Sequence, residues 1–574
     1  MNALMADRAV NRLIFLTAGL HGSMIKVGLI ACASMLQEEE MRKMIAVLTA
    51  LIMVFSLAGC TGRGDGNKKE ELKEIELDSW SPVVRNGINA MMHEYGKTAK
   101  NYDDTTYVVF DFDNTCSIFD VEEQLAVYQL QRMAFASDMD EEKLREVLAT
   151  GLGDLAEKRG RDYCQRNASY NNWITDITKA YGILLAEYGP FTPAGLDDKR
   201  AEEIQKNDQW KEFATKMRAM YDLIYDSESA DVAYPWVLYW FTGFTEAEVY
   251  DLAKASHEYF KEQESEYVTW TSPDIKSKIG ICEYEWVSGV SVPDNIRELM
   301  SALKANGIGV YICSASSTDV VRAAIDVYGL HDYVSGLMAM TNKLEDDKYI
   351  NEYDYEKGFA WIPGKNGSWE KGETATKAQT QGTGKVTAIN NVLVKEFGHG
   401  PVAGFMDSTG DFSFCTEYDS LRIVCCFNRA SRRVTDGGGL ISELAVYQNV
   451  DLGYEYDKAK EAGDIYYVLQ GRDENSYRSL RDSDATVRLD EKEEEAHLFR
   501  NYGEGQLNQN EVQLEYMREN KMTTEEIINT FAIKTKADDE DNRLGFDYGF
   551  LSRDEFQGYR SIKDSKPKKK EKKK

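Results

Sequence analysis

An α/β architecture, with a parallel sheet held between two helical layers and a large second domain inserted after the first strand, is predicted by three observations. Continuous apolar, β-branched runs at 106–110, 308–313, 402–406 and 421–427 alternate with helix-compatible stretches such as 318–328 and 387–397. Such runs read as strands buried on both faces, and strand–helix alternation implies a parallel sheet covered on both sides. Roughly 185 residues separate the first run from the second, far more than one crossover helix needs.

The 574 residues are 43% hydrophobic, which is enough for a large core and at least one further domain. The formal net charge of -29 repels phosphate backbones and disfavours nucleic acid as a partner. It suits cationic partners or metal ions.

The elements follow in order. Residues 1–40 carry a broken apolar stretch interrupted by His21 and Lys26 and read as an uncertain extension, with Met41 the expected start of translation. Residues 41–59 have a cationic start, an uncharged apolar run and a small-residue end, the layout of an export signal. Residues 60–80 form a polar tether. A first core part, 81–118, holds a helix at about 82–95 and the first strand. The inserted domain, 119–295, is rich in helical pattern and in aromatics, including Trp236, Tyr239 and Trp240. A second core part spans 296–430. Residues 431–560 are a polar extension with one strand-like run at 465–470, and 561–574 form a basic tail, read as a solvated end or a contact with anionic lipid or wall polymer. The nine cysteines have no regular spacing and include no Cys-x-x-Cys pair, so most read as small buried hydrophobes. The six histidines form no zinc motif.

In open parallel sheets ligands bind at the carboxyl ends of the strands, so the residues ending these runs carry the chemistry. The first run opens into Asp111-Phe112-Asp113-Asn114-Thr115. Two carboxylates so close repel unless a cation compensates or catalysis uses them. One can attack phosphorus while its neighbour moves protons; an Asp-rich turn is the alternative. The second run ends in Ser314-Ala315-Ser316, where a hydroxyl and backbone N–H groups can hold phosphate oxygens or simply cap a helix. Lys385, in Gly382-Thr-Gly-Lys385, stands at a helix start before the third run, with Lys377 and Lys371 as rivals. The third run ends in Met406-Asp407-Ser-Thr-Gly-Asp411.

In this order the four signals resemble the motifs of the haloacid dehalogenase superfamily of phosphohydrolases, over about residues 105–428. The resemblance implies a Rossmann-like core with the insertion as a cap. It makes Asp111 the nucleophile, Asp113 the general acid/base, and Ser314, Ala315 and Lys385 the phosphate contacts. It also implies Mg²⁺ bound by the Asp111 carboxylate, the Asp113 backbone carbonyl and Asp407, with Asp411 a ligand or a supporting partner. Asp120-Val-Glu122-Glu123 just beyond resembles bacterial phosphorylcholine phosphatases, in which the second Glu, here Glu123, helps to hold the trimethylammonium. Aromatic walls for that cation are expected from Tyr234, Trp236, Tyr239 and Trp240, although the acids equally suit a helix first turn and the aromatics a cap core. Leu57-Ala-Gly-Cys60 resembles the lipobox of bacterial lipoproteins. It implies lipidation at Cys60 and anchoring to the membrane, facing outside the cytoplasm.

The expected function is hydrolysis of a small phosphomonoester, with phosphocholine the candidate the resemblance implies, and with no obligate protein partner. A phosphoserine-type or nonspecific acid phosphatase is the alternative. From another class, a solute-binding lipoprotein has no use for Asp111 and Asp113 together at a strand end.

Overall fold

The computed structural model describes residues 72–100, 102–159, 164, 166, 168–430, 439–475, 478–499 and 509–531. Cys60, the segments 1–40 and 41–59, most of the tether and the basic tail lie outside the described residues. Among the described residues no helix is long and apolar enough to cross a membrane.

Eight strands form one sheet: β1 (Tyr107–Phe110), β2 (Gly309–Ser317), β3 (Gly336–Met340), β4 (Phe359–Pro363), β5 (Trp369–Ala375), β6 (Ala403–Met406), β7 (Ile423–Phe427) and β8 (Tyr466–Gln470). Their spatial order is β5-β4-β3-β2-β1-β6-β7-β8. The pairings from β3 through β8 are parallel, and β4 and β5 add an antiparallel edge. This is the expected α/β core. The helices used below are α1 (Pro82–Tyr95), α2 (Val121–Arg132), α3 (Tyr170–Tyr188), α4 (Asp208–Ser227), α5 (Ala230–Leu238), α6 (Thr318–Val327) and α7 (Thr383–Ile389).

Why both faces of the sheet are covered is visible in β1, whose residues are all apolar. Val108 and Phe110 join a core with Val84, Ile88 and Met91 of α1 and with Leu299 and Leu303, whereas Tyr107 and Val109 point to the other side, among Ile389, Leu393 and Leu444. Period-two alternation therefore feeds two apolar layers rather than one.

Between β1 and β2 the chain forms the predicted insertion, a set of helices that includes α2 to α5, with a hairpin of Glu266–Thr271 and Glu283–Ser288. Two features differ from the sequence reading. Tyr466–Gln470, within the extension 431–560, pairs in register with β7 and is an integral sheet strand. Between β3 and β6 lies a small β insertion, where the hairpin Asn342–Glu345/Lys348–Tyr353 precedes β4 and β5. It reaches the cap through Asn342 Nδ2 donating to Leu238 O (2.9 Å) and through paired backbone bonds between Tyr349 and Gly243 and Phe244 (2.8 Å each).

Candidate active site

At the carboxyl end of the central strands, Asp111 follows β1, Ser314 to Ser316 end β2, Lys385 sits in the first turn of α7, and Asp407 and Asp411 follow β6. The parallel register of β1 with β2 and β6 brings these sequence-distant groups together. Lys385 is 2% exposed, and its Nζ donates to Asp111 Oδ1 (2.6 Å) and to Asp411 Oδ1 (2.5 Å). Burial opposes its charge, but Asp111 and Asp411 more than offset this and hold the ammonium above its usual pKa. The close packing of its helix explains the glycine before it, since a Cβ at Gly384 would lie 1.8 Å from Gln379 O. Lys377 and Lys371 are exposed, and Lys371 is paired with Glu246 (2.7 Å).

Asp113 accepts hydrogen bonds from Ser316 Oγ (2.6 Å) and the Val121 backbone N–H (2.7 Å). Burial, with Asp111 adding repulsion, raises its carboxyl to about 7, so it holds a proton up to neutrality. Ser314 is fully buried, and its Oγ is 3.5 Å from Asp113 Oδ2. The shorter contact belongs to Ser316, which lines the cleft beside Ala315.

Asp111, Asp407 and Asp411 are buried, and one ligand atom from each lies within 4.8 Å of the others. Burial raises Asp411 and lifts Asp407 to about 6, with Asp111 adding repulsion in both cases and Arg429 opposing it at Asp407. An all-oxygen, like-charged donor set of this kind fits a hard divalent cation. The Asp113 carboxylate is not part of this cluster.

The cleft extends from these residues to the cap, where Asp120, Glu122 and Glu123 of the α2 start, Arg218 and Tyr221 of α4, and Tyr234 of α5 line it. Asp120 caps α2 by accepting from the Glu123 N–H (2.9 Å). Glu123 is half exposed, 4.0 Å from Arg218 Nη2. Arg218 is 1% exposed; its Nε and Nη2 donate to Tyr284 Oη (3.1 and 2.6 Å), while Nη1 has no hydrogen-bond partner.

Trp236 and Tyr239, expected as walls of the ligand site, do not line the cleft. Trp236 is fully buried, donates to Leu148 O (2.9 Å) and packs edge-on against Trp240 at 5.5 Å. Helical phase is the reason: Tyr234, Val237 and Leu238 share the cleft face of α5, and position 236 falls on the opposite side.

Two arginines at the site went unread in the sequence. Arg429, just beyond β7, donates to Asp407 Oδ2 (3.0 Å). Arg472, just beyond β8, donates to Asn114 O (2.9 Å) and Asn114 Oδ1 (3.1 Å) and pairs with Glu474. Asn114 has φ +58°, a left-handed conformation that Asn tolerates better than most residues, and Arg472 fixes it there.

Glu122 bridges cap and core by accepting from the Ser317 N–H (2.8 Å), and burial lifts its carboxyl to about 8. A pKa raised in the fold means that the stability this group contributes is complete below about 4.5 and is lost as pH rises through about 8. Glu122→Gln, which keeps the acceptor without the charge, is expected to raise the melting temperature near pH 9 and to change it little near pH 4.5. Melting curves at the two pH values check this.

Fold and site together define a capped α/β protein with a buried acid cluster clasped by one lysine. No family model and no curated protein matches the chain. Among solved structures, a conserved functionally unknown protein from Anaerococcus prevotii DSM 20548 is similar at 25% identity and a TM-score of 0.57, over 74% of this chain and 98% of that one. A protein of unknown function from Bordetella pertussis Tohama I is similar at 12% identity and a TM-score of 0.26, over 56% and 89%. A cytosolic 5'-nucleotidase IIIB bound to cytidine is similar at 13% identity and a TM-score of 0.24, over 70% and 92%. At the last two TM-scores the chemistry rests on the site's own residues.

Proposed function

We propose that the chain is a Mg²⁺-dependent phosphomonoester hydrolase of the haloacid dehalogenase type, acting through an aspartyl-phosphate intermediate on a small phosphorylated metabolite. The observation that carries this reading is Lys385 Nζ held between Asp111 and Asp411 at a cluster of three buried aspartates, with Asp113, its carboxyl raised by burial to about 7, beside it. Asp111 attacks phosphorus, and Asp113 gives its proton to the leaving oxygen. As a carboxylate, Asp113 then takes a proton from the water that cleaves the acyl phosphate. Lys385 and the N–H group of Ala315 supply fixed positive ends for the phosphoryl oxygens, while the Ser316 N–H is held by Ser314 Oγ (3.1 Å). Mg²⁺, held by Asp111, Asp407 and Asp411, would add charge neutralisation at the same oxygens.

For the substrate's other end, the half-exposed Glu123 carboxylate and Tyr221 and Tyr234 suit a quaternary ammonium, which favours phosphocholine. A phosphoserine-type substrate is the second reading, favoured by the Arg218 guanidinium that lines the same cleft, a group that suits a carboxylate. Anchoring through a lipid on Cys60, outside the cytoplasm, is part of the proposal.

Phosphate release from phosphocholine, phosphoserine and p-nitrophenyl phosphate, with and without chelator, tests the reading. Activity is expected to vanish with chelator and to return with added Mg²⁺. Glu123→Gln is expected to raise KM for phosphocholine by about tenfold, or ~1.4 kcal/mol, with little change for p-nitrophenyl phosphate. Equal rates across the panel would remove the head-group claim and leave the hydrolase.

A further inference from the structure

Seven cysteines among the described residues are reduced, and five of them, Cys116, Cys313, Cys415, Cys425 and Cys426, are buried in the core. The other two meet in the cap. Cys164 and Cys282, more than a hundred residues apart in sequence, are opposed as an antiparallel β-bridge pair. Residues directly opposite in such a pair have Cα atoms about 4.5–5.5 Å apart, inside the span a disulfide bridges without backbone movement. The thiols already touch, since a hydrogen bond from Cys282 is the largest influence on Cys164.

We infer that Cys164 and Cys282 are a disulfide-forming pair that ties the cap segment at 164 to the start of the hairpin strand Glu283–Ser288. Cys164 is partly exposed and open to a reagent, whereas Cys282 is 1% exposed and reachable only through it. The hydrogen bond from Cys282, followed by a backbone hydrogen bond at Arg166 and the nearby Lys216 ammonium, lowers Cys164 to about 7 against the cost of burial, and the same pairing raises Cys282. Cys164 is therefore the attacking thiolate.

The oxidant is a small-molecule disulfide. The Cys164 thiolate attacks one of its sulfurs and expels the first thiolate. Cys282, giving its proton to solvent, then attacks Cys164 Sγ and expels the second, so two protein thiols and one disulfide become one protein disulfide and two small thiols. The bond braces the strand that carries Tyr284, whose hydroxyl accepts both hydrogen bonds from Arg218 at the cleft wall. This inference does not depend on the hydrolase reading.

The full chain is equilibrated with oxidised and reduced glutathione, unfolded, alkylated with iodoacetamide and digested for mass spectrometry. A cross-linked peptide joining Cys164 and Cys282 is expected, with the five core cysteines alkylated. Reductant should split it into two peptides, and Cys164→Ser should abolish it and leave Cys282 alkylated. Recovery of Cys164 and Cys282 on separate peptides from the oxidised protein, alkylated or capped by glutathione, would overturn the inference.

Discussion

Asp111→Asn is expected to lower phosphate release by about a thousandfold or more while leaving the fold intact. The amide is isosteric and keeps an oxygen to accept from Lys385 Nζ and a polar atom beside Thr115 Oγ1, which now donates to Asp111 Oδ2 at 3.0 Å. What it lacks is a nucleophilic carboxylate. The native arrangement holds three buried carboxylates against Lys385 and Arg429, and burial, with repulsion from Asp111 added, lifts Asp407 and Asp411. Removing one negative charge should therefore leave the melting temperature unchanged or raise it, so lost activity with retained stability separates a chemical role from a structural one. Acid quenching of the wild type during turnover of labelled substrate should leave phosphate on the peptide bearing Asp111. Activity surviving in the variant would show that water attacks phosphorus directly, with the aspartates acting only through charge.

The parts of this site that could be read in advance are those where two signals coincide. Asp111 ends an uninterrupted apolar run, and Asp407 ends another, so strand and functional residue announce each other. β3 was not legible because Gly336-Leu-Met-Ala-Met lacks the β-branched and aromatic residues that mark a strand, and its burial comes from neighbours on both sides. β4 and β5 form an antiparallel edge with partly exposed residues, for which a pattern built on buried parallel strands has no template. Arg429 and Arg472 carry no spacing signature at all. They reach the site because β7 and β8 continue the sheet and deliver whatever follows them to the same end. The aromatics of α5 show the opposite failure: composition pointed to an aromatic wall, but the phase of the helix decides which rings reach the cleft, and it selects Tyr234 over Trp236.

Lys216→Met should destabilise the protein by about 3–5 kcal/mol, the largest stability effect of a single side chain proposed for the cap. Lys216 is fully buried in α4, and its Nζ donates to Asp176 Oδ2 of α3 (3.1 Å), to Ser277 Oγ (2.9 Å) and to Glu212 Oε1. The two acids differ in what else supports them. Asp176 also accepts the Lys278 N–H (2.8 Å) and the Ile279 N–H (2.9 Å), whereas Glu212 Oε2 has no partner and burial holds that carboxyl above its usual range. Removing the ammonium therefore strands Glu212 far more than Asp176. From that asymmetry the double variant Lys216→Met/Glu212→Gln is expected to recover most of the loss, because a neutral amide needs no counter-charge, and Lys216→Met/Asp176→Asn to recover little. Urea unfolding midpoints of the single and double variants form the test. Equal recovery by both second substitutions would mean that the three side chains act as one charge cluster in which no acid depends on Lys216 more than the other.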